Sequence, residues 1–566
     1  MAIKKTYGKI YLSDNRWIIP EAEPHVIMRL KSVFRRVPTH LPPPYHFENT
    51  SEQCADLQWF MQRYPLDISE EDLAIMIGKQ ESFFALQSEM ERILKPDFIP
   101  HTYSLREGQQ LRHYQAQAIE LVRRSRSLLL GDDIGLGKTY AGIGTFVDTG
   151  FLPAVVVVKT HLWKQWETKI SEFSNLTTHV IHGRTPYSLP AADVYIIKYT
   201  CLAAWTDVFR SIGVRACAFD EVQELRRGNA SYKGCAAATL VQQTELALGL
   251  TATVVYNYAD EVFHIMDILK PGCLGSKDEF IREWTTDGRV VRDPEALGTY
   301  LRERYLFLRR RKVDVGQYLG PVNKIIETVD FDEDAVKDAE KIAVQLAIRA
   351  STGSFIERGK AARELDLRVR HFTGVSKASY VAEYVKVLLE SGEPIVLSGW
   401  HRDVYDIWAK HFIEYQPAWY TGTESGTQKE KSKQRFINGD TPLMIISNRS
   451  GEGLDDLQYR SSINVVGELD FSPGIHDQLA GRLDREGQKN PPVTQIFLVS
   501  NSGSDPLLVN ILGLKSSQAR GINDPGMGPQ TVQSDQTRIK MLIEKYLNKK
   551  GIRIPARDEQ PELVAV

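Results

Sequence analysis

Cysteine is scarce in this sequence. It occurs five times in 566 residues, at Cys54, Cys201, Cys217, Cys235 and Cys273, an odd number with no C-x-x-C pair. That spacing argues against a disulfide framework or a cysteine zinc site, and it sets the expectation of a reducing compartment. Long apolar runs are also missing, and none approaches the ~20 residues of a membrane-spanning helix. The N-terminal MAIKKTYGKIYLSDNRW has no signal-peptide apolar core. The expectation is an intracellular protein, cytoplasmic in a bacterial or phage setting or else nuclear, with no membrane partner. Excess charge is lacking too. The 70 basic and 72 acidic residues leave a net charge of -2, so any polyanion must be held by local patches. Two such patches are Arg123-Arg124-Ser125-Arg126 and Arg309-Arg310-Arg311-Lys312. For each alone, the simpler expectation is a solvated face. Low-complexity tracts and short repeats are absent.

What remains is a globular composition, 42% hydrophobic, 25% charged and 9% aromatic, in a chain too long for one core. Four textures divide it. Residues 1 to about 100 mix short apolar runs with prolines and then a helical pattern from Glu70 to Leu94. From about 101 to 305, short β-rich runs (LLL at 128, VVVV at 155, VYII at 194, ACAF at 216) alternate with helical stretches. Residues 330 to 390 are charged and helical in pattern. The alternation returns at PIVLSGW, LMIISN, SINVVGE and TQIFLVS, up to about 510. Residues 511–566 form a polar tail with one helical pattern, Gln536 to Lys549. Alternating strands and helices predict parallel sheets with crossover helices. The chain therefore reads as two α/β blocks in series.

The chemistry is concentrated in LLLGDDIGLGKTYAG, Leu128 to Gly142. An apolar strand ends at Gly131 and a helix is expected to start near Lys138, which aims backbone N–H groups at an anion. Lys138 would reach the β- and γ-phosphates of a triphosphate, and the Thr139 hydroxyl would bind Mg²⁺. The strict G-x-x-x-x-G-K-[ST] pattern fails because Asp132 holds the place of the first glycine. A second element is the buried-looking strand ending Phe219-Asp220-Glu221-Val222-Gln223. There Asp220 would hold Mg²⁺ through water and Glu221 would polarise the attacking water.

These motifs resemble the SWI/SNF-like group of superfamily-two helicase-related ATPases, whose phosphate loop reads D-E-M-G-L-G-K-T where this chain has Asp132-Asp133-Ile134-Gly135-Leu136-Gly137-Lys138-Thr139. The other motifs follow in the family's order. Leu111-Arg112-His113-Tyr114-Gln115 resembles L-R-x-Y-Q, which implies that Arg112 and Gln115 meet the nucleotide together with Gly135, Leu136 and Gly137. VVVVKTHLWKQW, Val155 to Trp166, and Ile196 to Thr200 resemble DNA-tracking motifs. That implies nucleic-acid contacts from Lys159, Thr160, Trp166 and Thr200. Gln223, and Thr251-Ala252-Thr253 in an L-T-x-T motif, would couple hydrolysis to lobe movement, with Gln478. In the second block, Ser398, Arg449 and Ser450 would touch nucleic acid and Gly453 the nucleotide. Gln478 to Gln488 resembles Q-x-x-x-R-x-x-R-x-G-Q. On a helix, Arg482 and Arg485 would share one face as arginine fingers for the γ-phosphate, completing a catalytic set with Lys138 and Glu221. Two departures stand out, Val254 where the family often has proline and Gln223 where it often has histidine.

The resemblance implies two tandem RecA-like lobes with helical insertions, spanning 101–305 and 306–510, preceded by a small N-terminal accessory domain at 1–100. The Val254–Pro394 interval would supply helical protrusions, with Arg309 to Lys312 at the lobe linker. Glu468 to Gly474, and Thr373 to Lys377, resemble the HARP-type annealing-helicase branch. The N-terminal KIYLSDNRWIIPEAE is vaguely similar to the HARP module, with Trp17 following a short strand as a core residue. The implied activity is ATP-driven translocation on double-stranded DNA with Mg²⁺, used in remodelling forks or recombination intermediates or in clearing proteins from DNA. Alternatives are a single-strand or RNA helicase, a motor subunit of a defence or restriction assembly, and an ATP-gated scaffold. Protein partners are unspecified.

Overall fold

The computed structural model describes residues 5–252, 259–286, 290–317, 320, 322–333, 355–448, 454–470, 472–501, 503–506, 508–509 and 524, with backbone alone at 355–366 and 473. The chain divides into two units, one built mainly from residues 1–132 and 137–309, the other mainly from 310–520.

The first unit begins with an antiparallel sheet of β1 (Gly8–Ser13), β2 (Arg16–Ala22) and β3 (Tyr45–Glu48). Helices α1 (Pro24–Val33) and α2 (Ser51–Arg63) share a core with the sheet, and α3 (Glu70–Leu94) adds Met76. Trp17 follows the short strand β1, as expected, and itself lies within β2. It is fully buried, and its indole N–H donates to Asn49 Oδ1 at 3.1 Å. The helix read from Glu70 to Leu94 is present with those bounds, and Ser69 caps it by accepting the Asp72 N–H.

After α4 (His113–Ser125) the chain enters a seven-stranded parallel sheet. In chain order its strands are β4 (Ser127–Leu130), β5 (Ala154–Val158), β6 (Thr178–Val180), β7 (Val194–Lys198), β8 (Ala216–Asp220), β9 (Leu246–Leu250) and β10 (Phe307–Leu308). Across the sheet they run β10-β4-β9-β8-β5-β7-β6. The central strands are apolar on both faces because helices cover both, as parallel crossovers require. These helices include α5 (Lys138–Phe146), α6 (Trp163–Phe173), α7 (Thr206–Ser211), α8 (Tyr232–Gln243) and α9 (Ala259–Leu269). Then α10 (Lys277–Trp284) and α11 (Pro294–Glu303) follow before β10.

The second unit is a six-stranded parallel sheet with strands β11 (Asn323–Thr328), β12 (Ile395–Gly399), β13 (Ala418–Tyr420), β14 (Leu443–Ser447), β15 (Ile463–Val466) and β16 (Thr494–Val499), ordered β11-β16-β15-β12-β14-β13. The long helix α12 (Phe355–Glu390) packs on it through Ala378, Val381 and Val385, joined by α13 (Arg402–His411). Next come α14 (Gly426–Asn438) and α15 (Pro473–Ala480). All four apolar runs read in this half are strands. The unit boundary falls between Arg309 and Arg310. The pattern at Gln536 to Lys549 lies outside the described residues.

Candidate nucleotide site

In a parallel sheet every strand delivers its loop to one edge, and ligands collect there. The loop after β4 and the carboxylate pair after β8 both leave that edge, separated only by β9. At about 4.8 Å per strand the two lie ~10 Å apart, a span that suits a phosphate chain with its cation.

The loop's conformation follows from its glycines. Gly135 and Gly137 have φ of +94° and +73°, a region that disfavours side chains. Lys138, first residue of α5, folds back to donate Nζ to the Asp132 carbonyl at 2.5 Å. Gln115 on α4 accepts the Arg112 N–H at 3.0 Å and donates to the Gly137 carbonyl at 3.5 Å. The loop is thereby tied to the segment expected to meet the nucleotide. Thr251, buried at the end of β9, donates its N–H to the Leu130 carbonyl at 3.1 Å. Arg309, which the sequence offers as part of a charge run expected at the lobe linker, donates to the Gly131 carbonyl at 2.8 Å and the Ala252 carbonyl at 3.5 Å. It also pairs with Asp524 at 3.1 Å. The other run is engaged in part. Arg123 donates to the Gly144 carbonyl, Arg124 pairs with Glu89, and Arg126 lies 4.3 Å from the Phe151 ring centroid. Arg309 and Arg123 are therefore engaged with backbone carbonyls, whereas Arg124 and Arg126 lie on an exposed face, as expected of a solvated run.

At the end of β8, Asp220 Oδ1 accepts the Glu221 N–H at 3.0 Å and Oδ2 accepts the Trp166 indole N–H at 2.7 Å. Burial pushes the Asp220 carboxyl above the usual carboxylate range, and the Trp166 hydrogen bond and Lys159 pull it back down. Burial likewise raises the Tyr199 phenol, whose hydroxyl donates to the Asp220 carbonyl at 2.8 Å. Glu221 has φ +50°, a strained setting for a side-chain-bearing residue, and its carboxylate accepts from the Gln223 amide. Gln223 is buried, so it holds Glu221 with a neutral donor. Each Asp220 oxygen accepts a single hydrogen bond from the groups above, which leaves lone pairs for a hydrated cation. No cluster of three His, Cys, Asp or Glu exists among the described residues. The free lone pairs on the Asp220 carboxylate are a donor set that fits Mg²⁺, which keeps most of its waters and takes one or two protein oxygens.

Two expected nucleic-acid contacts are corrected. Trp166 is 1% exposed, packs against the first unit's core, and spends its N–H on Asp220. Ser398 is fully buried in β12 and donates to the Val465 carbonyl at 3.2 Å. Both are interior because their chains point into the sheet–helix packing. Thr160 and Thr200 are exposed, and Lys159 pairs with Glu224 at 3.9 Å.

In the second unit, α15 ends at Ala480, so Arg482 and Arg485 are not on a helix. Gly481 opens a series of tight turns in which Leu483 and Asp484 both donate to the Ala480 carbonyl. Arg482 is 5% exposed and donates to the Leu454 carbonyl at 3.2 Å. Arg485 donates to the Gly481 carbonyl at 2.8 Å and pairs with Asp455. The Gln478 amide nitrogen is buried without a partner among the described residues. Thr253, Arg449, Ser450 and Gly453 lie outside the described residues, as does Val254.

Sequence reading assigned no role to Glu468 beyond its motif. The fold buries it, and its carboxylate accepts the Trp400 N–H at 2.6 Å, the His401 N–H at 2.9 Å and His401 Nδ1 at 2.6 Å. It pins the end of β12 to the end of β15. Lys377 and Asp505, 1% and 3% exposed at the side chain, pair at 2.6 Å nearby.

A family model for the SNF2-related domain matches residues 52–352, just over half of the chain. The chain belongs to the SNF2-related family. Similar proteins include the human DNA annealing helicase and endonuclease ZRANB3, 23% identical over 425 residues, covering 70% of this chain and 38% of that protein. Chromodomain-helicase-DNA-binding protein 8 of Danio rerio is 22% identical over 292 residues, covering 45% of this chain and 11% of that protein. The chain thus spans well under half the length of these two SNF2-related relatives. The Sulfolobus solfataricus SWI2/SNF2 ATPase core in complex with dsDNA aligns over 81% of this chain and 99% of its own, at 19% identity and a TM-score of 0.37. That superposition adds nothing to the topology above. No described helix of this SNF2-related chain is long and apolar enough to cross a membrane.

Proposed function

We propose that this SNF2-related chain is an ATP-hydrolysing motor that tracks along double-stranded DNA and remodels branched DNA or protein–DNA complexes. The observation that carries the reading is the pairing, at one edge of a parallel sheet, of a glycine loop leading into Lys138 with the Asp220–Glu221 turn. Lys138 turns from the Asp132 carbonyl to the β- and γ-phosphates, and the loop N–H groups complete the cradle. Thr139 and, through water, Asp220 would hold Mg²⁺, which neutralises charge on the phosphates. Glu221 orients and polarises the attacking water, and Gln223 holds Glu221 until nucleotide arrives. Arg482 and Arg485 are the residues whose motif resembles the arginine fingers that stabilise charge developing on a γ-phosphate. Lys159, Thr160 and Thr200 grip backbone phosphates at the edge of the first unit's sheet, contacts that are largely sequence-independent and salt-sensitive. The names of relatives that act on DNA support this choice of track.

The test is ATP turnover by wild type, Lys138→Ala and Arg485→Ala, each without nucleic acid and with duplex DNA, single-stranded DNA or RNA. Turnover stimulated most by duplex and lost in both variants is expected, with triplex displacement reporting movement. Stimulation by single strands or RNA alone would replace the duplex track. Wild-type turnover equal to that of the variants on every nucleic acid would reduce the chain to a nucleotide-gated scaffold.

A further inference from the structure

Tyr232, the first residue of α8, is 91% exposed, an unusual setting for a large aromatic ring. Its neighbour Lys233 pairs with Glu224 at 2.6 Å, and its Nζ lies 6.0 Å from the Tyr199 ring centroid. The same Glu224 carboxylate reaches Lys159 at 3.9 Å. One acidic side chain therefore links residues 159, 224 and 233, at the ends of β5 and β8 and the start of α8. Tyr199 places Thr200 beside them. Arg227 is exposed immediately before the turn that packs on α8.

From this juxtaposition we infer that Tyr232 and Lys233 extend the DNA-gripping edge, and that Glu224 masks it. The inference rests on the proposed duplex track. Two lysines share one carboxylate, so their charge toward an incoming phosphate is partly cancelled. When the backbone arrives, Lys233 and Lys159 exchange Glu224 for phosphate oxygens, with Arg227 alongside. Tyr232 covers the adjoining sugar and donates its hydroxyl to a phosphate. The occupant is a nucleic-acid backbone because the patch combines three cations with an exposed ring, and the exposed Thr160 and Thr200 are the chain neighbours of Lys159 and Tyr199. An acidic mask also limits how tightly the motor holds each step, which suits a protein that must release and rebind.

The test is equilibrium binding of the full chain to a fluorescent duplex across a salt series. Each phosphate neutralised contributes about 0.9 to the slope of log K against log salt. Lys233→Ala is expected to weaken binding and to flatten that slope by about 0.9. Tyr232→Ala is expected to weaken binding by about tenfold with the slope unchanged, because it removes a neutral hydrogen bond and contact. Glu224→Gln is expected to bind several-fold tighter with a steeper slope, a gain that misfolding does not produce. Duplex binding by the wild type, with an unchanged slope for Lys233→Ala or no gain for Glu224→Gln, overturns this surface alone. If the wild type binds no duplex at any salt, the duplex track falls and this inference with it.

Discussion

Trp166→Phe separates two roles for one residue. The local sequence context, a tryptophan in a motif resembling a DNA-tracking element, implies a nucleic-acid contact. The fold instead buries the ring at 1% exposure and sets its N–H 2.7 Å from Asp220 Oδ2. The ring also packs against Gly142, where an added Cβ would meet Trp166 at 3.0 Å. Replacement by phenylalanine removes a side-chain volume on the order of 40 Å³, which at about 24 cal/mol per Å³ costs ~1 kcal/mol. It also removes a hydrogen bond to a buried carboxylate, a loss of about 1.5–3 kcal/mol when that carboxylate is ionised. The expected destabilisation is therefore about 2.5–4 kcal/mol at a pH where Asp220 is ionised, read by urea unfolding. Its pH dependence has a definite sign. Burial raises the Asp220 carboxyl in the folded state, so its contribution to stability is largest at low pH and declines as pH rises through the raised value. Trp166 opposes that decline because its N–H favours the ionised form. The gap between wild type and Trp166→Phe should thus be small in acid, near the cavity term, and widen as pH rises. A variant that unfolds like wild type at every pH, yet binds duplex DNA less tightly, would refute the interior role and restore the contact.

Gly137→Ala should weaken nucleotide binding at least tenfold by titration calorimetry, since φ is +73° and the new Cβ would meet Gln115 Nε2 at 2.5 Å; the backbone strain alone is about 1–2 kcal/mol. Lys377→Met should destabilise the second unit by about 3–5 kcal/mol in chemical unfolding, because it strands Asp505 as a buried charge; adding Asp505→Leu should recover most of the loss. Burial pushes the Cys217 and Cys273 thiols up to about 12, whereas Cys235 is exposed. A thiol reagent at pH 8 should therefore modify Cys235 quickly in the native chain and the other two only on unfolding, as counted by mass spectrometry.

Local features were legible wherever one short segment carries its own physics. Leu128 to Leu130 had to be a strand and Gly135 and Gly137 a tight loop, because apolar runs seek two-sided burial and glycine tolerates positive φ. The strand at Ala216 to Asp220 and the helix from Glu70 to Leu94 were equally plain. Reading failed where a chain segment's fate depends on what packs against it. Spacing alone suggested that Arg482 and Arg485 share a helical face, but α15 stops at Ala480 and the turns after Gly481 carry them instead. Ser398 and Trp166 were expected to meet nucleic acid because the motifs that contain them resemble the family's, and no local pattern reports that a core has claimed them.

The amino-acid sequence by itself determined two α/β halves, the glycine loop into Lys138 and the Asp220–Glu221 turn, all set by periodicity and residue chemistry within a few positions. Only the tertiary structure decided which groups meet: Arg309 with the carbonyls of Gly131 and Ala252, Trp166 with Asp220, and Glu224 between Lys159 and Lys233. These partners are 54 to 178 residues apart in the first two cases. Their pairing arises from strand order in a parallel sheet, which collects distant strand ends at one edge.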